Sequence, residues 1–409
     1  MKTMRCALAG AVLATLFASP ASGRVVNVAR RVRIAQTTRT FSVNVGDFNR
    51  DRRDDFFLVR HNPDNPPQSI PTSILYAGTR RKRFRVHAKE MFGRTDKHDC
   101  AWGRANRDRR PDLFCAIGLT QNSENELWIQ RRNGRFVNRA QRKGLHFRTQ
   151  GRFRTATFIH ANRDRRPDIY VTRYTGSCFC DRDGDGEIDY EGDKWPNELW
   201  INEGRRFRKA PEFGLNKPIS SKKDNASCTQ AVDYDRDRDQ DLLVCAARLH
   251  LYRNRNGRGF VDVTRRKKLG DVVADARFVR LNGDRRYDFV RLTTQRLTVR
   301  YGRRRGRLGP SRLIARVSGG IGLAFGRFNH GTRTDIYMLA GRTRREAPDK
   351  IYLQKRRRFR ALTIPAVRRG IADDVAALDY NRDGRTDFVV TNGNRKKAGP
   401  VQLWTWRRG

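Results

Sequence analysis

Short runs of β-branched and aromatic residues alternate along this chain with clusters of charged and turn-forming residues. Thr40-Phe-Ser-Val-Asn-Val45 and Ala156-Thr-Phe-Ile159 lead into acidic clusters, while Asp168-Ile-Tyr-Val-Thr172 and Asp335-Ile-Tyr-Met-Leu339 lead out of them. Runs of this kind read as strands, and helical periodicity is absent over any useful length. Between the entering and the leaving strand stands one phrase, written seven times with variations. Its fullest copies are Asp47/Asn49/Asp51/Asp55, Asp233/Asp235/Asp237/Asp241 and Asp379/Asn381/Asp383/Asp387, with oxygen-bearing residues at positions 1, 3, 5 and 9. The final aspartates are Asp55, Asp112, Asp168, Asp241, Asp288, Asp335 and Asp387, at spacings of 57, 56, 73, 47, 47 and 52. A supersecondary unit recurring at this period signals a propeller or a solenoid.

Each repeat has a second half with its own phrase. Asn125-Glu-Leu-Trp-Ile129 leads to Asn133-Gly134, and Asn197-Glu-Leu-Trp-Ile201 leads to Glu203-Gly204. Such pairs suit tight hairpin turns. Two hairpins per repeat and seven repeats predict an all-β, seven-bladed β-propeller over residues 24–409. The last repeat stops at Trp404-Thr-Trp406, one strand short, while Arg24-Val-Val-Asn27 reads like the fourth strands Phe136-Val-Asn138 and Phe260-Val-Asp262. The N-terminal strand is therefore expected to complete the last blade and close the ring. The 73-residue spacing marks an insertion in the third repeat at about 174–196.

Residues 1–23 read as a signal peptide: Lys2 and Arg5, an apolar run from Cys6 to Ala18, then small residues. The expectation is a secreted or periplasmic protein with no transmembrane segment. Six cysteines follow the leader, an even number that suits an oxidising compartment. Cys100 and Cys115 bracket the second acidic loop, and Cys228 and Cys245 bracket the fourth, so two disulfides are expected across those hairpins. Cys178 and Cys180 remain, and zinc is the alternative reading for the cysteines. Asn225-Ala-Ser227 is a glycosylation sequon.

The charge changes the picture. The chain carries 88 Lys and Arg against 43 Asp and Glu, a formal net charge of +45. Such a field favours acidic polymers or anionic surfaces and disfavours self-association, so a monomer is expected. The arginines are spread over every repeat, and a solvated surface without a specific partner is the competing reading.

The acidic loops point to calcium, which takes six to eight oxygens from carboxylates and carbonyls. The three complete loops are the main candidates in the ring. The insertion adds Asp181, Asp183, Asp185 and Asp189, an Asp-x-Asp-x-Asp-Gly sequence with the start of an EF-hand loop but Gly192 where its final glutamate belongs. Weaker candidates are Asn106/Asp108/Asp112, Asn162/Asp164/Asp168 and Asn282/Asp284/Asp288, whose first positions are Arg104, His160 and Arg280. The sixth loop has Arg327 at position 1 and Gly331 at position 5. Aspartate and asparagine turns also bond to their own backbone without any metal. Positions 4 and 6, where such loops often take left-handed backbone, are mostly arginine: Arg50 and Arg52, Arg107 and Arg109, Arg163 and Arg165, Arg236 and Arg238.

On the repeated Asp-x-Asn-x-Asp-x-x-x-Asp phrase and the Asn-Glu-Leu-Trp phrase, the chain resembles the FG-GAP/VCBS repeat proteins, whose propellers include the integrin α-subunit head. It is similar also to the cartilage acidic protein type, with the opposite charge. The resemblance implies calcium in the blade loops and an extracellular role in adhesion or ligand binding. The leading expectation is a non-catalytic scaffold for an acidic polysaccharide, a cell-wall polymer or a protein partner. A polysaccharide lyase is the enzymatic alternative, though the seven histidines are scattered and form no catalytic motif. Nucleic-acid binding through the basic surface is the third reading.

Overall fold

A computed structural model describes residues 24–60, 72–118, 124–145, 153–173, 196–216, 228–246, 248–270, 273–329, 331–341, 347–365, 373–393 and 398–407. The leader, the insertion with its Asp181 loop, Cys178, Cys180 and the Asn225 sequon lie outside them. Among the described residues the strands gather into seven antiparallel sheets, six of four strands and a seventh that takes an extra two-residue strand, Thr37–Thr38. The chain folds as a seven-bladed β-propeller.

The innermost strands are Thr40–Gly46, Lys97–Gly103, Phe153–Ile159, Cys228–Val232, Asp275–Val279, Gly320–Gly326 and Asp374–Leu378. They touch one another in chain order, and the last touches the first, which closes the ring. Each second strand begins at a final aspartate of the acidic phrase, as in Asp55–Arg60, Asp112–Ile117 and Asp387–Thr391. The seventh sheet runs from Asp374–Leu378 through Asp387–Thr391 and Gly399–Arg407 to Arg24–Asn27, with Val25 opposite Trp406. The N-terminal strand thus completes the last blade, as the sequence predicts.

The alternation along each second strand feeds two neighbours at once. Phe56 and Leu58 pack toward the seventh blade, with Leu378, Val389 and Leu403, while Phe57 and Val59 pack toward the second, with Leu113 and Trp128. Seven apolar clusters result, one in each seam between adjacent blades. These strands are buried on both faces, so a large-to-small change such as Phe114→Ala costs about 3–5 kcal/mol.

Polar side chains cross the seams near the axis. Asp99 accepts from Ala156 N and Asn44 Nδ2, Asp374 from Val43 N, and Asp275 from Leu323 N. Gln230 exchanges two hydrogen bonds with the Phe278 backbone. Each satisfies inner-strand groups that a neighbouring blade leaves over.

Both expected disulfides are present. Cys100–Cys115 and Cys228–Cys245 each join directly opposed residues of an innermost and a second strand, with Cα–Cα distances of 4.1 and 4.9 Å. These cysteines are therefore not zinc ligands.

Candidate functional site

The final aspartates act first as clamps. All seven are buried at the start of their second strands. One carboxylate oxygen accepts the backbone N–H of loop position 2: Phe48 for Asp55, Ala105 for Asp112, Ala161 for Asp168, Tyr234 for Asp241, Leu281 for Asp288, Phe328 for Asp335 and Tyr380 for Asp387. In six blades the other oxygen accepts an N–H at the end of the third strand, from Gly78, Gln130, Asn202, Asn254, Gly302 or Gln354. Burial pushes the carboxyls of Asp55, Asp112 and Asp168 up to about 7, and those of Asp241 and Asp387 up to about 8. The clamp is kept even in the sixth blade, whose loop has lost its other acids.

The remaining positions set the loop backbone. In the three complete loops the position-1 aspartate accepts the N–H groups of positions 5 and 6: Asp51 and Arg52 onto Asp47, Asp237 and Arg238 onto Asp233, Asp383 and Gly384 onto Asp379. Asn49 and Asn381, expected from the sequence as position-3 metal ligands, also bond within their own loops. The Asn49 side-chain oxygen accepts the Asp51 N–H, and that of Asn381 the Asp383 N–H, each at 3.0 Å. Asn381 also donates Nδ2 to the Asp383 carboxylate at 3.1 Å. The short amide side chain serves the turn because the position-5 N–H lies two residues on, within its reach. Positions 4 and 6 of these loops are left-handed, as expected, at Arg50 (φ 61°), Arg52 (63°), Arg236 (66°), Arg238 (75°), Arg382 (56°) and Gly384 (76°). In the second and third loops only position 6 turns left-handed, at Arg109 and Arg165. There Asn106 and Asn162 accept from the position-5 backbone, and Asp108 and Asp164 from position 7; Asn282 and Asp284 do the same in the fifth.

The test for a divalent cation is whether these oxygens converge and are free of other cations. Among the described residues, three carboxylates come within 4.8 Å of one another in one acidic loop, the fourth, at Asp233, Asp235 and Asp237. The carboxylates of the first and seventh loops do not group in this way. Position 7 supplies arginine in six loops. In five of them its guanidinium reaches the position-5 aspartate: Arg53 to Asp51 at 3.3 Å, Arg110 to Asp108, Arg166 to Asp164 at 3.0 Å, Arg286 to Asp284 at 3.3 Å and Arg385 to Asp383 at 3.6 Å. In five of these six loops a guanidinium thus reaches a carboxylate that a calcium ion would need, and in the sixth that carboxylate is absent.

The fourth loop is built differently. Position 7 is Asp239, which is buried and takes Arg163 of the third loop at 2.9 and 3.1 Å. The counter-cation comes instead from the third strand. Arg253 donates Nε to Asp235 at 2.8 Å and Nη2 to Asp237 at 2.7 Å. One oxygen of Asp235 is buried without a hydrogen-bond partner, and burial followed by the adjacent Asp237 charge raises its carboxyl. This loop has the donor set for a cation and a guanidinium already leaning on it.

The same end of the ring carries the outer turns. Each clamp ties a loop to the end of the third strand, so the turn that follows stands beside the loop. Those turns hold Arg80, Arg81, Lys82 and Arg83 in the first blade and Arg131, Arg132 and Arg135 in the second. Arg205 and Arg206, then Arg255 and Arg258, then Arg303, Arg304, Arg305 and Arg307 follow, and all of these side chains are exposed. The final aspartates are buried in the blades while these arginines stand outside, so this face carries a rim of exposed cations.

Among the described residues the histidines do not assemble. His98 is buried, held between Asp96 at 3.2 Å and the Phe153 carbonyl at 2.8 Å, and His250 pairs with Asp262 at 2.9 Å. Sequence reasoning found the loops and both disulfides. It missed Arg253, which lies 12 residues beyond the loop it neutralises. It also missed the clamp, whose partner N–H belongs to another hairpin. The recurrence of arginine at position 7 was the available signal.

No protein-family profile matches the sequence, and no curated protein matches it. Solved structures do. One is an Agrocybe aegerita lectin described for its specific recognition of non-reducing terminal N-acetylglucosamine: 12% identity, TM-score 0.51, covering 82% of this chain and 88% of that one. Another is the Myceliophteria thermophila Cps50 (Swd1) β-propeller domain, at 12% identity and a TM-score of 0.49, covering 90% and 98%. The likeness to the lectin is one of fold.

Proposed function

We propose that this protein is an exported, non-catalytic propeller scaffold that binds an acidic polysaccharide or a similar anionic cell-surface polymer. The observation that carries the reading is the rim of exposed arginine-rich turns on the face of the acidic loops, in every blade from the first to the sixth. Guanidinium forks match carboxylate, sulfate and phosphate geometry, and closely spaced unpaired cations concentrate a polyanion. A lectin on a comparable ring is a precedent for carbohydrate recognition by this architecture. Two disulfides suit an oxidising compartment, in line with export. Within the blades the fourth loop, whose three carboxylates converge, is the best calcium candidate, and there the ion would compete with Arg253 for Asp235 and Asp237. A place among the FG-GAP/VCBS repeats remains part of this reading, resting on the repeated phrase alone.

The test is retention on an immobilised uronic-acid polymer as salt rises. Elution well above 0.15 M salt (about the physiological value) supports specific contacts. Elution at or below it reduces the rim to bulk attraction and removes the proposal.

A further inference from the structure

One stretch of the rim is a cleft. It has a volume of about 1080 Å³ and lies where the outer hairpin of the sixth blade faces the acidic loop of the fifth. Six cations line it: Arg333 of the sixth loop, Lys355, Arg356 and Arg357 at the hairpin turn, and Arg358 and Arg360 on the outermost strand. Among the described residues none of the six has a carboxylate within salt-bridge reach. Asp284 is the acid among the lining residues, and Arg286 at 3.3 Å and Asn282 at 3.1 Å already hold it.

Two features fix this charge in place. Arg356 sits at φ 55°, as the first residue of the two-residue turn between Lys355 and Arg358. An L-residue there costs about 1 kcal/mol that glycine avoids. Arg357 lies over the Tyr301 ring, 5.3 Å from its centroid, and Arg312 lies 6.0 Å from the same ring. One guanidinium of the cleft is thus held against an aromatic ring while its neighbours stay exposed.

We propose that this cleft seats an anionic oligosaccharide through its carboxylate or sulfate groups. The proposal rests on the acidic-polymer reading above and assigns that reading a site. The volume is at the upper end of small-ligand pockets, roughly 300–1,000 Å³, which leaves room for several charged sugar units. Single-stranded nucleic acid would need exposed aromatic faces on which bases stack. Here the Tyr301 ring is covered by arginine, and Phe359 is half-buried.

The test uses the mature protein, fluorescence anisotropy at constant salt, and three probes: an oligogalacturonate, a heparin-derived hexasaccharide and a single-stranded oligothymidylate. The variants are the triple Arg356→Gln/Arg357→Gln/Arg358→Gln, a triple of equal charge change in the first blade, Arg80→Gln/Arg81→Gln/Arg83→Gln, and Arg333→Gln, which removes a cleft cation from a separate element. The cleft triple is expected to weaken one saccharide by about tenfold or more, and Arg333→Gln by severalfold, against less than about threefold for the first-blade triple. Equal losses in the two triples would overturn the cleft and leave the acidic-polymer reading standing. Cleft-dependent binding of the oligothymidylate matching that of the saccharides would also overturn it. A wild-type protein that binds neither saccharide defeats both.

Discussion

Replacing Arg253 with alanine should both destabilise the ring and make it respond to calcium. The guanidinium makes two charge-assisted hydrogen bonds, at 2.8 Å to Asp235 and 2.7 Å to Asp237. Bonds of this kind are worth about 1.5–3 kcal/mol each. The arginine side chain is 37% exposed, so solvent screens part of that sum, and about 2 kcal/mol is the expected loss. For a chain of this length that corresponds to a fall of roughly 2–3 °C in Tm. The variant leaves three carboxylates within 4.8 Å of one another with no cation between them. A site with a Kd near 1 mM, in the weak extracellular range, would regain about 1.4 kcal/mol at 10 mM calcium. Scanning calorimetry of wild type, Arg253→Ala and Arg253→Lys, with 10 mM calcium and with chelator, reads this directly. The lysine variant keeps the charge without the guanidinium fork and should fall between the alanine variant and wild type. Any calcium taken by the Asp181 loop adds equally to all three, so the difference between proteins carries the answer. Should wild type gain as much as Arg253→Ala, the arginine does not compete for the site. Should the alanine variant melt with wild type and ignore calcium, the carboxylates need no counter-charge at all.

Three other outcomes follow from the geometry. Burial raises Asp99 and Asp275 to about 6 and Asp374 to about 7, against about 3.8 unfolded. Asn44, Arg154 and Asp374 face Asp99, and Arg277 faces both Asp275 and Asp374. Protonation favours the fold at these groups, so their contribution is complete below about pH 4 and is lost as pH rises through 6 to 7; Asp374→Asn should flatten Tm against pH between about pH 4 and 7, and an unchanged slope refutes the assignment. Arg52→Gly relieves a left-handed arginine at φ 63° and should raise the denaturant midpoint by roughly 0.5–1 kcal/mol in stability, whereas a lower midpoint would show that the arginine side chain holds the loop. If the final aspartates are clamps before they are ligands, Asp335→Ala in the sixth blade should cost as much as Asp55→Ala in the first, about 3 kcal/mol for two stranded N–H groups in urea unfolding, with a much smaller loss at Asp335 counting against the clamp.

The ring was legible because its signals are local. A strand run followed by an acidic turn can be read within a dozen residues, and recurrence of the final aspartate counts the blades. Ring closure was legible because Arg24-Val-Val-Asn27 carries the same alternation as the fourth strands it replaces. The disulfides followed from the same register, since residues bracketing a hairpin symmetrically must face each other. The electrostatics of the loops were not legible. An asparagine such as Asn49 or Asn381 has the same spacing whether its oxygen meets a metal or the N–H two residues on. Whether Asp237 meets a metal or Arg253 depends on how one hairpin stacks beside the next, and nothing in the loop's own spacing reports that. The cleft was hidden for a similar reason. Lys355-Arg-Arg-Arg358 is one basic turn among several in the sequence, and only its apposition to the loop of the fifth blade makes a cleft.

The clasp between Arg24–Asn27 and Gly399–Arg407 has a consequence for how the molecule is made. Strands in the other blades meet partners that are near in sequence and can pair early. This one waits for a partner almost the whole chain away, and loop closure over such a length is slow. Until then the Gly399–Arg407 strand presents an open edge carrying Val401, Leu403, Trp404 and Trp406, with the apolar seams on either side of the last blade incomplete. The seventh blade is accordingly the place where a stalled or heated ring should part first, and where newly made chains are most exposed to pairing with one another.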